Sequence, residues 1–542
     1  MMFRKPGHPQ SGRTHIASSR NSARRASRRR PSVPLRLEPL ECRTVLSTLT
    51  VTSAADQGPG SLRAAIVAAQ GGDTIQFAPG LQGQTIHLTS GELTIDEDLT
   101  ILGPGASRID IDAGGLSRVF RITTADVTIS GLTIRGGSAS IGGGLLQEGG
   151  DLSLIDVVIA GNQAVGASPG AEAMGGGVAV LEGGSMTVVG GAFRDNTVLG
   201  AAGSDGGSAR RNGFGGQGAG GGLYFEGSAL TVSNSTFTNN RAQGGDGGDG
   251  GQGAGTSSSL AFNGYGGDGL GGGIYVRRGA LSISGGRFTG NVAQGGEGGV
   301  AATLGAPYTR NGYAGNGLGG AVHGATSVAD ALFDLNQALG GDAGPGGYGG
   351  GGGGGALGDK TSGVVFLGDD ASGSLTVTRV RFTSNTARSG VGDNAYYVQG
   401  AAIQSNALLT VVDSTFRLNQ AIGNVAGGTI ASNVRDYDTG GPCLIVIGSQ
   451  FTDNLATGNF ISGGVLSGVN VVLQDAGFVN NQAIGSGGGG DLGGGVMFVL
   501  DSFSIADSTF ISNYFAVLVV IACVLAIASA CRYYFVGTLG ER

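Results

Sequence analysis

The chain has 542 residues, of which 113 are glycine, and only 13% are charged. This glycine content is about three times the usual value, but the sequence lacks the G-X-Y period of collagen, and 40% apolar residues exclude wholesale disorder. Residues 1–47 hold eleven Lys or Arg and two Glu, whereas the remainder holds 21 basic and 37 acidic residues. Because nucleic-acid phosphates repel an acidic surface, we expect the body of the protein not to bind nucleic acid.

Residues 1–47 are predicted to be an Arg-rich export or targeting segment. Its arginines, above all Arg24, Arg25 and residues 28–30, would also suit a nuclear signal or a nucleic-acid-binding arm. The segment has no apolar run of the length that a secretory signal needs. It ends in Leu37-Glu-Pro-Leu-Glu-Cys-Arg-Thr-Val-Leu-Ser47, which resembles the surface-sorting motif of planctomycete-type extracellular proteins, with Cys42 where an acidic residue is more usual. The resemblance implies export.

Residues 48–135 are predicted to form a cap and the first turns of a repeat structure. Ser61–Gln70 predicts a short helix with Ser61 as its N-cap, ended by Gly71-Gly72. Runs that alternate apolar and polar residues then predict short strands. These runs are Thr74–Phe77, Thr85–Leu88, Leu93–Ile95, Leu99–Leu102, Ile109–Ile111, Val119–Ile122, Val127–Ile129 and Leu132–Ile134.

Residues 136–513 contain a repeat. A phenylalanine followed three residues later by an asparagine recurs at Phe193/Asn196, Phe237/Asn240, Phe288/Asn291, Phe333/Asn336, Phe382/Asn385, Phe416/Asn419, Phe451/Asn454, Phe478/Asn481 and Phe510/Asn513, and Ile159/Asn162 is an aliphatic first copy. Each phenylalanine follows a short alternating run such as Leu230-Thr-Val232. Further upstream, a glycine cluster leads into another strand, as in Gly220-Gly-Gly-Leu223. Each unit therefore holds at least two short strands.

Such units favour an all-β fold, the parallel β-helix, in which each unit is one turn and its strands pair with the same strands of the turns above and below. Equivalent side chains then form columns, so we expect phenylalanine inside. We expect asparagine at a corner, because it tolerates the left-handed conformation and bonds its own backbone. The shortest asparagine spacing, 27 residues, matches one turn, and longer spacings add glycine-rich inserts such as Gly244–Gly269 and Gly340–Gly355.

The GG[AG]-[ILV] and FxxN repeats resemble those of the chlamydial polymorphic outer-membrane proteins over roughly residues 48–513. The resemblance implies a right-handed parallel β-helix displayed on a cell surface. Those proteins end in a membrane β-barrel, whereas here an apolar segment takes its place, so the resemblance does not support self-export through a barrel.

The C-terminal segment is predicted to anchor the chain. Phe515–Ala530 has sixteen residues without a charge, enough as a helix for about 24 Å of a hydrocarbon core about 30 Å thick. We therefore predict a transmembrane helix over residues 514–535. Arg532 and Arg542 would place residues 536–542 in the cytoplasm as a short tail. A buried core helix is one alternative, and a frameshifted C-terminus is another, because the segment interrupts the repeat directly after Asn513.

No catalytic, cofactor-binding or metal site is predicted, and no cofactor is expected. Five features are candidate sites: paired carboxylates, a column of glutamates, scattered histidines, half of a calcium nonapeptide, and a lysine that lacks the phosphate-loop glycine. The residue pattern favours a structural interpretation of each. These are Asp110 and Asp112; Glu148, Glu182 and Glu226, with Arg277 and Arg278 breaking the column; His87 and His323; Gly244-Gly-Asp-Gly-Gly-Asp249; and Asp359-Lys360-Thr361. The four cysteines, Cys42, Cys443, Cys523 and Cys531, have neither metal spacing nor the pattern of a disulfide framework.

The sequence therefore predicts a non-catalytic cell-surface or extracellular protein with a structural or adhesive role. Its expected partners are a membrane and, beyond it, extracellular polysaccharide or another cell surface. A carbohydrate-active β-helix enzyme, either a polysaccharide lyase or a hydrolase, is the alternative. A truncated gene model of a larger surface protein is a third interpretation.

Overall fold

The computed structural model describes residues 46–205, 213–250, 264–300, 312–343, 349–355, 374–392, 397–423, 425–432, 443–485 and 496–513, with the short pieces 261–262, 309–310, 357–358, 492–493, 519–520 and 535–536. Residues 1–45 of the predicted export segment lie outside this set.

The chain winds in successive turns, and residues 218–243 show the path of one turn. It passes through Gly218–Ala219, Leu223–Ser233, Thr236–Thr238 and Arg241–Gln243. Each of these strands pairs in parallel with its equivalent in the next turn, so that Leu223 aligns with Ile274, Phe237 with Phe288 and Ala242 with Ala293. Stacked parallel strands of this kind define a parallel β-helix, which confirms the predicted all-β class.

Four stacked sheets make up the walls. The wide sheet has two arms joined by long strands. Its first arm contains Leu93–Ile95, Phe120–Ile122, Leu145–Gln147, Val178–Val180, Val322–His323, Leu357–Gly358, Ile403–Ser405, Ile430–Ser432 and Val519–Val520. Its second arm contains Thr48–Val51, Asp73–Phe77, Leu99–Leu102, Val127–Ser130, Leu152–Ile155, Met186–Val189, Ser327–Ala329, Ser374–Thr378, Leu408–Val412 and Leu444–Ile447. The strands shared by both arms are Leu223–Ser233, Ile274–Ser284, Leu466–Gln474 and Met497–Ala506.

The other three sheets are named here for their recurrent residues. The phenylalanine sheet contains Gln84–His87, Ile109–Asp112, Thr133–Arg135, Val158–Ala160, Ala192–Arg194, Thr236–Thr238, Arg287–Thr289, Leu332–Asp334, Arg381–Thr383, Thr415–Arg417, Gln450–Thr452, Gly477–Val479, Thr509–Ile511 and Phe535–Val536. The alanine sheet contains Ser138–Ala139, Gln163–Val165, Thr197–Leu199, Arg241–Gln243, Val292–Gln294, Gln337–Leu339, Thr386–Arg388, Gln420–Ile422, Leu455–Gly458 and Gln482–Gly485. The glycine sheet contains Ala173–Met174, Gly218–Ala219, Gly269–Leu270, Gly317–Leu318, Gly352–Gly353, Tyr397–Gln399, Val425–Gly427, Phe460–Ser462 and Leu492–Gly493. Ala261–Phe262 and Thr309–Arg310 form a separate pair.

A short helix stands at the N-terminal end, as the sequence predicts. It spans Leu62–Ala68, and the Ser61 hydroxyl accepts a hydrogen bond from the Ala64 N–H at 3.1 Å. Leu62 and Ile66 are buried in the main core. Pro79–Leu81 adds one 3₁₀ turn. The N-cap interaction satisfies one of the free N–H groups of the first helical turn and fixes where the helix begins.

Phenylalanine forms the central column of the core. From Phe193 to Phe510 the rings stack face to face on successive turns, with centroids 4.5–5.1 Å apart. Ile134 and Ile159 continue the same column towards the N-terminus. Stacked aromatic rings contribute attraction beyond the burial of their area, so the column is a major source of stability.

The asparagines form a buried amide ladder. The Asn291 Nδ2 donates to Oδ1 of Asn336 at 2.9 Å and to the Phe237 carbonyl at 2.8 Å. Its Oδ1 accepts the backbone N–H and the Nδ2 of Asn240, at 3.1 and 2.9 Å. The same pattern joins the ladder from Asn162 to Asn513. Each interior amide therefore satisfies its donors and acceptor without water.

The predicted reason for asparagine at this corner was wrong. The left-handed residue is the one that precedes it, such as Asp195 (φ 57°), Asn239 (φ 54°) or Leu335 (φ 57°). The asparagine side chain bonds neighbouring turns rather than its own backbone. Its role in each turn is thus to supply an amide that both donates and accepts between turns, which neither aspartate nor serine can do in the same geometry.

A layer of glycine-rich chain lies between the alanine and glycine sheets. The N–H groups of Gly244 and Gly247 donate to the next turn, whereas those of Gly245 and Gly248 donate to the returning segment at residues 213–216. Hydrogen bonds that recur every third residue and point to different neighbours match the three-residue period of a polyproline II helix, which has no internal hydrogen bonds. A Cβ at Gly245 would collide with a carbonyl oxygen of the preceding turn, so only glycine allows this spacing.

Most of the predicted transmembrane helix, residues 514–535, lies outside the described residues. The two described pairs in this region are strand rather than helix. Val519–Val520 pairs with Phe498–Val499, and Phe535–Val536 with Phe510–Ile511. A strand added here bonds the backbone of the preceding turn, whereas a helix bonds its own backbone and would leave that edge without strand partners. In the described part of the chain, no helix has the length and apolar character that crossing a membrane requires.

Candidate functional site

One position on the outer side of the first arm departs from its neighbours. In register along the stack it holds Leu146, Ala179, Tyr224, Tyr275 and His323 in turn. The Tyr224 and Tyr275 rings are 5.6 Å apart between centroids, and those of Tyr275 and His323 are stacked at 5.3 Å. We call these three aromatic residues, with Glu226 and Arg277, the tyrosine cluster. The two turns directly before Tyr224 hold Leu146 and Ala179 here, so aromatic rings are not needed at this position to stack the repeat.

The tyrosine cluster packs beneath the glycine sheet. Tyr224 is buried and shares a small apolar core with Leu146, Ala179, Ala219, Leu270 and Leu318. This core is separate from the phenylalanine column and lies on the other side of the first arm, since Tyr224 alternates with the inward-facing Leu223 and Phe225. The glycine sheet thus fixes the tyrosine rings from outside.

A β-bulge brings two arginines to this surface. Phe225 aligns with Val276, but Glu226 aligns with Arg278, so Arg277 is an extra residue in its strand. Both arginines then reach the same carboxylate, each with a nitrogen 3.5 Å from Glu226. Bulges commonly re-aim side chains beside functional sites. The bulge explains why residues 277 and 278 both face outwards, which strict alternation would not allow.

The protonation states of the cluster favour hydrogen-bond donation. Burial raises the pKa of Tyr224 and the pKa of Tyr275, so both phenols keep their protons at neutral pH. The hydrogen bond with the Tyr224 hydroxyl raises the pKa of Arg277, which therefore stays charged. The Tyr224 hydroxyl also lies 3.1 Å from Glu226 Oε2 and donates to it. The cluster supplies donors and a cation, and its phenols are poor general bases.

A cavity of about 90 Å³ opens beside the cluster. Its walls come from the first arm, from the glycine sheet and from the residues just before two strands of that sheet: Glu172, Ala173, Met174, Gln217, Ala219, Tyr224, Tyr275 and Arg277. Aromatic and aliphatic groups thus form one part of the wall, while an arginine, a glutamate and a glutamine converge on the same space. Small-molecule sites have this combination of apolar surface and a few convergent polar groups.

The carboxylate pair Asp110 and Asp112 is held by one arginine. Arg135 Nε lies 2.9 Å from Asp110 Oδ2, and its Nη1 lies 2.7 Å from Asp112 Oδ2. Asp112 is buried rather than solvated, and it also accepts the Gly114 N–H at 2.8 Å. The two carboxylates thus take part in an ion pair between turns, and Asp112 does not belong to the solvated outer face that the sequence suggested.

Glu148, Glu182 and Glu226 do not form a column. Gln147 aligns with Val180, and Val180 with Phe225, which places Leu181 level with Glu148 and Glu226. Glu182 lies one residue further on, in a turn with φ 54°. Glu148 instead forms a bidentate pair with Arg121, at 3.0 Å for both bonds.

The other candidate residues from the sequence lie apart from one another in the structure. His87 lies in the phenylalanine sheet and His323 in the first arm, where His323 is buried against Tyr275. Asp246 and Asp249 each accept a backbone N–H of the next turn, from Glu297 and Val300 at 2.8 Å. Lys360 lies outside the described residues. Within the described ranges no three His, Cys, Asp or Glu side chains are grouped so that they could hold a metal ion.

Sequence reasoning missed the tyrosine cluster, although a signal was present. Each of three consecutive glycine clusters is followed by an aliphatic residue and then an aromatic ring, as Leu223-Tyr224, Ile274-Tyr275 and Val322-His323. The repeat alone predicts these positions on one face of adjacent strands. The cavity depends on the glycine sheet above them, and short pairs of residues such as Gly218–Ala219 carry no recognisable strand pattern.

The fold defines the chain as a parallel β-helix protein. No protein-family model matches the sequence, and no curated protein matches it. Among solved structures it is similar to the pectate lyase Pel9A, at 13% identity and a TM-score of 0.27, over 82% of this chain and 78% of that one. It is also similar to an alginate lyase from Paenibacillus sp. str. FPU-7 (11%, TM-score 0.25, 81% and 99%) and to the Streptococcus pneumoniae surface protein and adhesin PfbA (10%, TM-score 0.23, 86% and 99%).

Proposed function

We propose that the protein is a non-catalytic β-helix protein displayed at the cell surface or outside the cell, where it has a structural or adhesive role. The observation that carries this proposal is the continuous stack of phenylalanines and asparagines. From Phe193 to Phe510 and from Asn162 to Asn513, every turn is bonded to the next through its interior. Coupling of each turn to the next suits a scaffold that must hold its outer residues in fixed positions.

The charged residues are consistent with a scaffold. Arg118 and Arg121 lie between Glu92 and Glu148, and Arg379 pairs with Asp330 of the preceding turn at 2.7 Å. These pairs link neighbouring turns. At the tyrosine cluster, the protonated phenols and the charged Arg277 favour binding over proton abstraction.

The finer features of the proposal rest on sequence resemblance. They are the right-handed winding of the β-helix, its kinship with surface proteins that carry GG[AG]-[ILV] and FxxN repeats, and export directed by the motif at Leu37–Ser47. Anchorage by Phe515–Ala530 rests on its lack of charge, because sixteen uncharged and almost wholly apolar residues in water would form a far larger exposed patch than soluble monomers carry.

Display and anchorage are tested together on intact cells. A membrane-impermeant amine reagent is a poor probe because lysine occurs only at Lys5 and Lys360, so external protease digestion of the β-helix is preferred. We expect digestion on intact cells and retention of the full-length chain in carbonate-washed membranes. A chain ending at Asn513 should be released. Recovery of the full-length chain as a soluble monomer would show that the tail continues the strand pairing and is not an anchor.

The structural or adhesive role is tested with purified full-length protein. Beads coated with the protein should adhere to cells or to extracellular polysaccharide more strongly than uncoated beads. Incubation with pectate, alginate and neutral polysaccharides should release neither reducing ends nor unsaturated products. Steady, protein-dependent release of either product would replace this proposal with the enzymatic alternative.

A further inference from the structure

We propose that the cavity beside the tyrosine cluster binds one neutral sugar ring, the terminal residue of a surface glycan. This inference rests on the proposed adhesive function and assigns it a site. The volume of about 90 Å³ is well below the several hundred Å³ of drug-sized pockets, so the cavity accommodates a single ring edge and not an oligosaccharide.

The balance of charge indicates a neutral ligand. Among the described residues of the cavity wall, Arg277 is the cation and Glu172 the carboxylate, while Glu226 faces the same arginine from 3.5 Å. An anionic ligand would gain Arg277 but be repelled by two carboxylates, and a cationic ligand would gain the carboxylates but be repelled by Arg277. A polyol avoids both costs, because hydroxyl groups donate and accept equally well.

The wall matches the two kinds of surface on a sugar ring. Planar side chains with paired polar atoms, here Arg277, Glu172 and Gln217, can bind two adjacent hydroxyls at once. Tyr275 adds a protonated hydroxyl, and the rings of Tyr224 and Tyr275 in the wall supply apolar surface for the C–H groups of a sugar ring. The tyrosine rings are already held by stacking and by the glycine sheet, so ligand binding costs little additional side-chain entropy.

The bulge strengthens the assignment. Arg277 and Arg278 are adjacent, and both pair with Glu226 at 3.5 Å, yet only Arg277 lines the cavity. If the bulge only positioned a partner for the Glu226 carboxylate, one arginine would be enough. The extra residue thus leaves Arg278 to neutralise Glu226 while Arg277 faces the cavity.

The test uses the full-length protein and the methyl glycosides of glucose, galactose and mannose, with methyl glucuronoside and glucosamine as the anionic and cationic probes. Saturation-transfer NMR measures binding. We expect at least one neutral glycoside to bind, at least tenfold more tightly than either charged probe. Arg277→Ala and Tyr275→Phe should weaken binding at least tenfold, and the control Arg287→Ala, at an exposed position of the phenylalanine sheet, should bind as the unaltered protein does.

Binding of none of the neutral glycosides, preference for the glucuronoside, or unchanged binding by Arg277→Ala would overturn the inference. Circular dichroism of each variant establishes that it is folded, and Tyr275→Phe keeps the ring while removing only the hydroxyl. The bead assay separates this inference from the proposed function. If Arg277→Ala beads adhere as well as unaltered beads, adhesion uses another surface and only the sugar site fails.

Discussion

Gly220 occupies a left-handed backbone conformation, φ +72°, in which a Cβ atom would overlap the carbonyl oxygen of Leu223. The equivalent first glycine has the same conformation in Gly175, Gly271 and Gly319. This position turns the chain from the glycine sheet into the first arm. A side chain there meets both a steric and a conformational penalty.

Gly220→Ala should therefore lower the free energy of unfolding by more than about 2 kcal/mol, from the left-handed penalty of 1–2 kcal/mol together with the overlap. Gly222→Ala is the comparison, because Gly222 has no left-handed φ and Ala321 stands at the equivalent position two turns later. Its Cβ would lie 2.7 Å from the Gly273 carbonyl oxygen, so we expect a measurable but smaller loss. Urea denaturation followed by circular dichroism compares the two. Equal losses for both variants would contradict the assigned role of Gly220.

Asn336→Ala removes one member of the amide ladder. It leaves the backbone N–H and the Nδ2 of Asn291 without an acceptor and the Phe288 carbonyl without its side-chain donor. Each buried unsatisfied group costs about 1–3 kcal/mol, so we expect a loss of at least 3 kcal/mol. Gln337→Ala, at the exposed next residue, should change the urea midpoint little. A small effect of Asn336→Ala would mean that water replaces the amide.

Phe416→Ala removes a fully buried ring that stacks on Phe382 at 4.8 Å and on Phe451 at 4.6 Å. The cavity and the lost burial should cost about 3–5 kcal/mol of unfolding free energy. Arg417→Ala, whose side chain is exposed on the same strand, is the control. Because neighbouring turns fold cooperatively, hydrogen exchange of amides in the adjacent strands should also rise, and unaltered exchange would indicate a locally repacked column.

Leu418 and Leu408 are equally exposed, at 38%, but differ in backbone conformation. Leu418 has φ 57°, a strained angle for a branched side chain, whereas Leu408 begins an ordinary strand. Leu418→Gly should raise the unfolding free energy or leave it unchanged, because relief of about 1 kcal/mol offsets the entropy of glycine. Leu408→Gly should lower it by about 1 kcal/mol. The same sign of change for both would refute the strain argument.

Asp56 ties the cap helix to the first turns. Burial alone would raise its pKa, but hydrogen bonds from Ser90, Arg63 and the Thr89 backbone outweigh burial and hold the pKa of Asp56 well below its usual range. The contribution of a carboxylate with a lowered pKa is complete above the unfolded value of about 4 and is lost as the pH falls below it. The protection factors of the Leu62–Ala68 amides, in which the intrinsic pH dependence of hydrogen exchange is divided out, should therefore fall below about pH 4.

Asp56→Asn should accelerate this exchange at neutral pH and reduce its dependence on acid. Asp96→Asn, at an exposed position, should keep the behaviour of the unaltered protein. If acid sensitivity persists in Asp56→Asn, another carboxylate controls the cap.

The columns were predictable from the sequence because a parallel repeat brings equivalent residues together. Spacing alone therefore placed Phe237 beside Phe288, and local chemistry placed Ser61 at the start of the helix. The absence of a glutamate column could not be predicted. The register differs by one residue, so that Leu181 and not Glu182 is level with Glu226, and the glycine turns carry no sequence signal of that difference. The tyrosine cluster depends on which face the glycine sheet covers, and that is a tertiary property.

The amide ladder gives the protein a chemical direction. Each asparagine passes its backbone N–H and one side-chain N–H forward to the oxygen of the next, so the amide dipoles point the same way from Asn162 to Asn513. The Asn162 end is acceptor-rich and is matched by the Gly137 N–H. The Asn513 end offers forward-pointing donors. The ladder can therefore be extended only by further turns after Asn513 that supply acceptors, because the acceptor at Asn162 is already taken by the preceding turn, and growth of this stack is polar.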